Sequence, residues 1–161
     1  MPYVYTVAAA GTVNYSTSAS ADTEDAYVAL RQATRGFTLK LLAAGGKAAA
    51  ATVLNGIGHV WKRWTTAGSG GTTLTPAPKL RDAPAAATVA ADKQTALTPG
   101  TVSGVVVLAM SHGGSTANQW VARDADSGVH VEGGSADELD GYSSQAGTSA
   151  LKFVASVEIE E

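Results

Sequence analysis

Three histidines, His59, His112 and His130, are the side chains best suited to move protons near neutral pH. They lie among Gly, Val and Ser. A hydrolytic site would also need a nucleophile held by a base, with an acid to orient that base. No such constellation stands out. Gly68-Ser69-Gly70-Gly71 sets a serine between glycines, but the nucleophile elbow is G-x-S-x-G in a strand–turn–helix setting. This string reads as a flexible turn. Gly56-Ile57-Gly58 opens like a dinucleotide fingerprint, yet the third Gly would fall at Trp61, which denies a pyrophosphate its close backbone approach. Gly45-Gly46-Lys47 lacks the first Gly and the Ser/Thr of a phosphate loop.

Metal chemistry has one candidate. Asp124-Ala125-Asp126-Ser127-Gly128, with Glu132 beyond, resembles the start of a calcium loop, because hard cations gather oxygen ligands. Gly128 stands where the third ligand should be, so an acidic hairpin turn is the better reading. Asp137-Glu138 with Asp140 reads as a second acidic turn, a solvated loop. The chain has no Cys, which removes disulfides, thiolate zinc sites and thiol nucleophiles. Asn14-Tyr15-Ser16 matches a glycosylation acceptor. No Lys or Arg precedes Arg31, so the basic region of an export signal is missing. The expectation is a protein with no catalytic residues, no cofactor and no metal.

Trp61 and Trp64 flank Lys62-Arg63. Strand alternation would put Trp61 and Arg63 on one side and Lys62 and Trp64 on the other. Aromatics beside cations can stack on bases or sugars, or anchor a protein interface. At least one of the two Trp should fill the core; the other is the best single interface anchor.

These residues need a scaffold, and the patterning says which. Leu151, Phe153, Ala155, Val157 and Ile159 share one face of a strand over 151–160, a period that a helix could not use to bury one side. Tyr3–Val13 alternates Tyr3, Tyr5 and Val7 against Val4, Thr6 and Ala8. Gly36–Leu42 groups Phe37, Leu39 and Leu41. Asp22–Ala33 reads either as a short helix with acidic residues in its first turn or as a strand through Val28 and Leu30, the strand being preferred. Val102–Met110 carries Val105-Val106-Val107-Leu108, the run of a strand buried on both faces. Gln119–Arg123 and Gly128–Glu132 are short strands. Turns are expected at Gly45-Gly46, Asn55-Gly56, Pro99-Gly100, Gly113-Gly114, Gly133-Gly134 and Asp140-Gly141. Ala83–Ala96 has no large apolar stripe and reads as loop. Many short strands between turns predict an all-β antiparallel sandwich, one domain over 1–161, with an extended Gly/Pro/Ala-rich loop or arm at 67–98.

Composition bounds the core. Of 161 residues 45% are hydrophobic, but 31 are Ala, against 16 Val, 11 Leu, 2 Ile and 2 Phe. The four large types make about 19%, a figure that warns of disorder only alongside high net charge. Net charge here is −3. The prediction is a thin core, with apolar surface buried between subunits. A pI near 5.5 offers no polybasic footprint for nucleic acid. Leu41–Leu54 is too short and too weakly apolar to span a bilayer.

The segment TTAGSGGTTLTPAPKLRDAPAAATVAAD from Thr65 onward, with a final strand closing on Glu160-Glu161, carries a resemblance. Arg63, Thr65, Thr66, Gly68, Ser69, Gly70, Gly71, Thr72, Thr75, Pro76, Pro84, Ala85, Ala86, Glu160 and Glu161 match a pattern seen in small structural proteins of tailed-phage head gene clusters. The chain resembles that family most over residues 60–90. The first sixty residues depart more, lacking a clear charged strand. The resemblance implies a jelly-roll-like sandwich acting as a head decoration or cement protein. It would be made in the host cytoplasm and bound to the capsid exterior. Its implied partners are the major capsid protein and itself, as a homotrimer, with neither nucleic acid nor membrane. Trp61, Arg63, Trp64, Gly68, Gly70, Gly71, Thr75, Pro76 and Pro84 are the candidate interface. The rival readings are a tail or adsorption component, and a carbohydrate-binding sandwich module.

Overall fold

The ten-residue alternation at the C-terminus folds as a strand over the expected residues, Leu151–Glu160, and pairs antiparallel with Val4–Val13 at the other end of the chain. A computed structural model describes residues 2–13, 23–31, 34–48, 57–101, 105–112, 117–123, 127–133, 137–145 and 151–161. Among them are twelve strands and no α-helix: β1 (Val4–Val13), β2 (Thr23–Arg31), β3 (Phe37–Ala48), β4 (Ile57–Trp64), β5 (Ser69–Leu74), β6 (Ala77–Pro78), β7 (Val89–Thr98), β8 (Val105–His112), β9 (Ala117–Val121), β10 (Val129–Val131), β11 (Glu138–Gln145) and β12 (Leu151–Glu160).

All pairings are antiparallel. The first sheet runs β6-β1-β12-β3, with β9 and β10 side by side along the far edge of β3. The second runs β5-β7-β2-β11-β4-β8. The partners nest: β1 with β12, β2 with β11, β3 with β9 and β10, β4 with β8. The first four strands alternate between sheets, and so do the strands that answer them. That is jelly-roll connectivity, with β5, β6 and β7 inserted between β4 and β8. The expected all-β sandwich is what forms.

One apolar core joins both sheets. In the first sheet, cross-strand partners stack in rows of Tyr5–Ile159–Leu39, Val7–Val157–Leu42 and Ala9–Ala155–Ala44, all buried. The rows taper from large side chains to methyl groups, which gives part of the alanine excess a structural use inside this chain. From the second sheet, Tyr27, Val28, Leu30, Trp61, Ala90 and Leu139 fill the other side.

Bulges set the phase of these rows. Glu158 faces Leu41 but Ile159 faces Leu39, so Lys40 is the extra residue on β3. The buried set therefore switches from Phe37 and Leu39 to Leu42 and Ala44, and Leu41, expected in the core, is half-buried. A second bulge makes Tyr27 the extra residue opposite Gly141/Tyr142. Tyr27 then shares the inner face with Val28 and Leu30, while Ala26 and Ala29 face outward.

Three expectations are corrected. Val105–Leu108 is not buried on both faces: β8 is an edge strand, and Val105 and Val106 are 52% and 54% exposed. The segment 67–98 is not an extended arm, since β5, β6 and β7 lie within it; Ala83–Ala96, read as loop, holds the start of β7. Ala90 and Ala91 pack against Leu30 and Ala29 in the β2 pairing. A strand between two partners needs only small side chains where sheets close tightly. Gly45-Gly46 and Asp140-Gly141, expected as turns, run inside β3 and β11. At Gly141 an added Cβ would lie 2.9 Å from the Trp61 ring and 3.0 Å from Tyr27, so glycine leaves the indole its space. The Asn55-Gly56 and Gly113-Gly114 turns lie outside the described residues.

Candidate functional site

Alternation on β4 works as the sequence requires. Trp61 points inward, 0% exposed, with Tyr27 edge-on at 6.3 Å. Trp64 points outward, half-buried against Ala26, Ala29, Ala91 and Leu97. Trp61 thus leaves the candidate interface as a core residue, while Arg63 is exposed and Trp64 keeps some surface.

The glycine-rich string is held down. Thr65–Gly71 and Thr98–Thr101 lie against each other, with Thr66 and Thr101 exchanging backbone hydrogen bonds of 3.2 and 3.0 Å. Ser69 pairs with Thr98 and Gly70 with Leu97. Together they cover the outer face of the second sheet. Gly68 approaches so closely that an added Cβ would sit 2.0 Å from the Thr98 carbonyl oxygen. Gly71 has φ +82°, a left-handed conformation that side chains resist.

Beneath this flap is a cluster that the sequence reading missed. Glu138 and Asp140 are both 0% exposed, not in a solvated turn. They lie two residues apart on β11, so they share the outer face while Leu139 enters the core. The Arg31 Nε donates to Glu138 Oε2 at 2.8 Å, and the Gly68 N–H donates to the same oxygen at 2.7 Å. Arg31 Nη1 donates to the Gly70 carbonyl at 3.1 Å. The Gly100 N–H donates to Asp140 Oδ2 at 3.0 Å. Burial first, then the hydrogen bond to Glu138 and its charge, push the Asp140 carboxyl up to about 9. The Gly100 N–H and Arg31 act against that rise. That environment favours the protonated form of Asp140, and Glu138 with Arg31 forms the ion pair. The signal was legible as Glu-Leu-Asp-Gly, a period-two acidic face, but nothing local says that face is covered.

The remaining candidates lie along β1. Thr75 is exposed and Pro76 is buried. Pro84 is exposed, and its carbonyl accepts the Tyr5 hydroxyl at 3.0 Å. The Glu161 carboxylate accepts the N–H groups of Ala87 and Thr88 at 2.9 and 2.7 Å. Lys79 pairs with Glu158, and β6 pairs with Tyr5 and Thr6. The Pro-Ala stretch and the acidic terminus that carried the resemblance thus meet in space. Of the histidines, His59 is buried edge-on to Tyr27 at 5.5 Å, and His130 is exposed with Nδ1 3.1 Å from Thr38 Oγ1. Asp124-Ala125-Asp126 and Asn14-Tyr15-Ser16 lie outside the described residues, as does the side chain of His112. Among the described residues no group of three or more His, Asp or Glu is placed to hold a metal.

No protein-family model matches the chain, and no curated protein matches it. Two solved structures overlap with it. One is a structure of infectious bursal disease virus, Gx strain, at 13% identity and a TM-score of 0.25, covering 99% of this chain and 42% of that one. The other is a mutant VP2 protein of the same virus from derived T=1 particles, at 12% identity and 0.26, covering 99% and 40%. The chain thus spans about two fifths of either. Overlaps of this degree do not establish a common fold.

Proposed function

We propose that this chain is a virion structural protein of the decoration or cement type, which binds the outside of an assembled phage head and stabilises it. The observation that carries the proposal is the edge of the second sheet. Strand β8 reads Val-Val-Val-Leu-Ala-Met-Ser-His, with no Lys, Arg, Asp, Glu or Pro, and Val105 and Val106 exposed. Soluble proteins usually guard such an edge with charge or proline. An unguarded apolar edge suits a protein that lays itself against another, where main-chain hydrogen bonds extend the sheet. Jelly rolls are common among viral capsid domains, which is fold-level analogy and supports the proposal only as such. The carboxyl pair, the grouping best suited to acid–base chemistry, is enclosed beyond reach of a substrate. Binding only the assembled shell would stabilise that shell by mass action.

Mixing the purified chain with emptied heads and with unassembled capsid protein tests this. Saturable, stoichiometric binding to heads alone is expected; no binding to heads overturns the proposal. A second reading, a glycan-binding module, is favoured by one feature, a surface pocket lined by Gln119, Trp120, Arg123 and Ser127. A glycan screen with Trp120→Ala as control separates the two.

A further inference from the structure

We propose that the turn at Leu80 of one copy seats in the Trp120–Arg123 pocket of another, so that copies of this chain associate head to tail into a closed ring. The turn is built to hold its shape. The Ala83 N–H donates to the Leu80 carbonyl at 3.2 Å, and the Lys79 N–H donates to the Val4 carbonyl at 2.9 Å. Pro78 lies against Tyr5 in the β6 pairing, and the Pro84 carbonyl accepts the Tyr5 hydroxyl, so both arms are fastened to β1. At the tip Leu80 is 59% exposed, with Arg81 and Asp82 exposed beside it. A large apolar side chain on a tip already held in place loses little freedom when it is covered, which favours its use as an anchor.

The pocket, of about 330 Å³, has an apolar wall of Trp120, Val121 and Ala122, with Arg123 beside them. Trp120 packs on the core and Val121 is 52% exposed. Tip and pocket lie at opposite edges of the first sheet, since β6 ends it on one side and β9 with β10 on the other. Ala77, Thr6, Glu158, Leu41 and Val121 form one row across it, so the strands bearing tip and pocket end the same row. One copy can therefore follow another edge to edge with little slip along the strands. Two unlike surfaces make a head-to-tail contact, and small slip lets that contact close as a ring where a larger one would wind into a filament. The charges agree. Residues 79–82 carry Lys79, Arg81 and Asp82, net +1, whereas 123–126 carry Arg123, Asp124 and Asp126, net −1. Strand β8 belongs to the other sheet and stays uncovered, so the ring does not depend on whether the chain binds a head.

Sedimentation equilibrium over a concentration series tests this. The mass should rise from one chain to a fixed multiple and stop there. Leu80→Glu and Val121→Glu, both at exposed positions, should each raise the concentration needed for assembly by about tenfold or more. Their melting temperatures, measured at dilutions where the wild type is monomeric, should match it; Arg123→Glu serves for the pocket if Val121→Glu does not fold. Leu80→Glu keeps a sound pocket and Val121→Glu a sound tip, so the two mixed at high concentration should form a species of two chains and nothing larger. A monomeric wild type, growth without limit, either variant assembling as the wild type does, or a mixture that stays monomeric overturns the proposal. So does Trp120-dependent glycan binding by a chain that remains monomeric, which would give the pocket to the other occupant.

Discussion

Asp140 illustrates how far a residue's neighbours in sequence mislead about its surroundings. Asp137, Glu138 and Asp140 look like a solvated acidic turn, yet Glu138 and Asp140 are enclosed, and burial pushes the Asp140 carboxyl up. The linkage has a definite sign. The Asp140 carboxyl is raised from 3.8 to about 9 in the folded chain. Folding therefore takes up a proton between those values, and stability is fullest below the lower and declines through the upper. Thermal melts should show a transition temperature that falls from about pH 5 to about pH 9, with a shallower slope in Asp140→Asn; equal slopes would contradict the assignment. At Gly68 the demand is steric. Gly68→Ala puts a methyl carbon against the Thr98 carbonyl, and strain of about 1–3 kcal/mol is expected in denaturant unfolding. Trp61 and Trp64 were separable from sequence, because alternation assigns them to opposite faces. Which face was the core needed the second sheet.

Strands were legible where one face is apolar and the period unbroken, as in β12, whose bounds match the sequence pattern. They were misphased where a bulge adds a residue. Lys40 and Tyr27 each shift the buried set by one position, and no local feature of the sequence marks either. Strand β7 was unreadable for another reason: its Ala90 and Ala91 contribute to the core by being small. Strand β7 is held by its pairing with β2, and the stretch before it is tied to the C-terminus by Glu161 at the N–H groups of Ala87 and Thr88. Glu161→Ala strips both of their acceptor, and a loss of roughly 1–3 kcal/mol is expected if they stay buried. Trypsin should then cut faster at Lys79 and Arg81, both exposed. Unchanged cleavage would mean that the β6 pairing, the Tyr5–Pro84 hydrogen bond and the Lys79–Glu158 pair secure the segment without Glu161.

At the scale of the whole molecule, the jelly roll closes by pairing the first strand with the last and leaves β8 as an open edge. A charge placed there should act on association and spare the fold. Val106→Lys is expected to leave the melting temperature near the wild-type value, since surface changes shift stability by within about 0.5 kcal/mol. Head binding by the same variant should weaken by about tenfold or more, as a gatekeeper charge does to edge pairing. Full binding would move the contact elsewhere on the surface. The homotrimer is tested by light scattering at high concentration, where a persistent monomer would refute it.

The chain by itself determined that it is all-β, that its terminal strands alternate and that Trp61 and Trp64 part company, and its composition set the expectation of a thin core. Those properties are local: each depends on residue type and a period of two. Tertiary structure alone decided which strands meet, where bulges reset the alternation, that Val105 and Val106 lie at an edge, and that the glycine-rich string covers an acid pair some seventy residues away. Such facts depend on partners brought together by pairing across the sheets, and no window along the chain contains both members. The alanine that makes the composition look ordinary has the same lesson at both levels. It thins the core row by row, and it lets β7 lie close against β2.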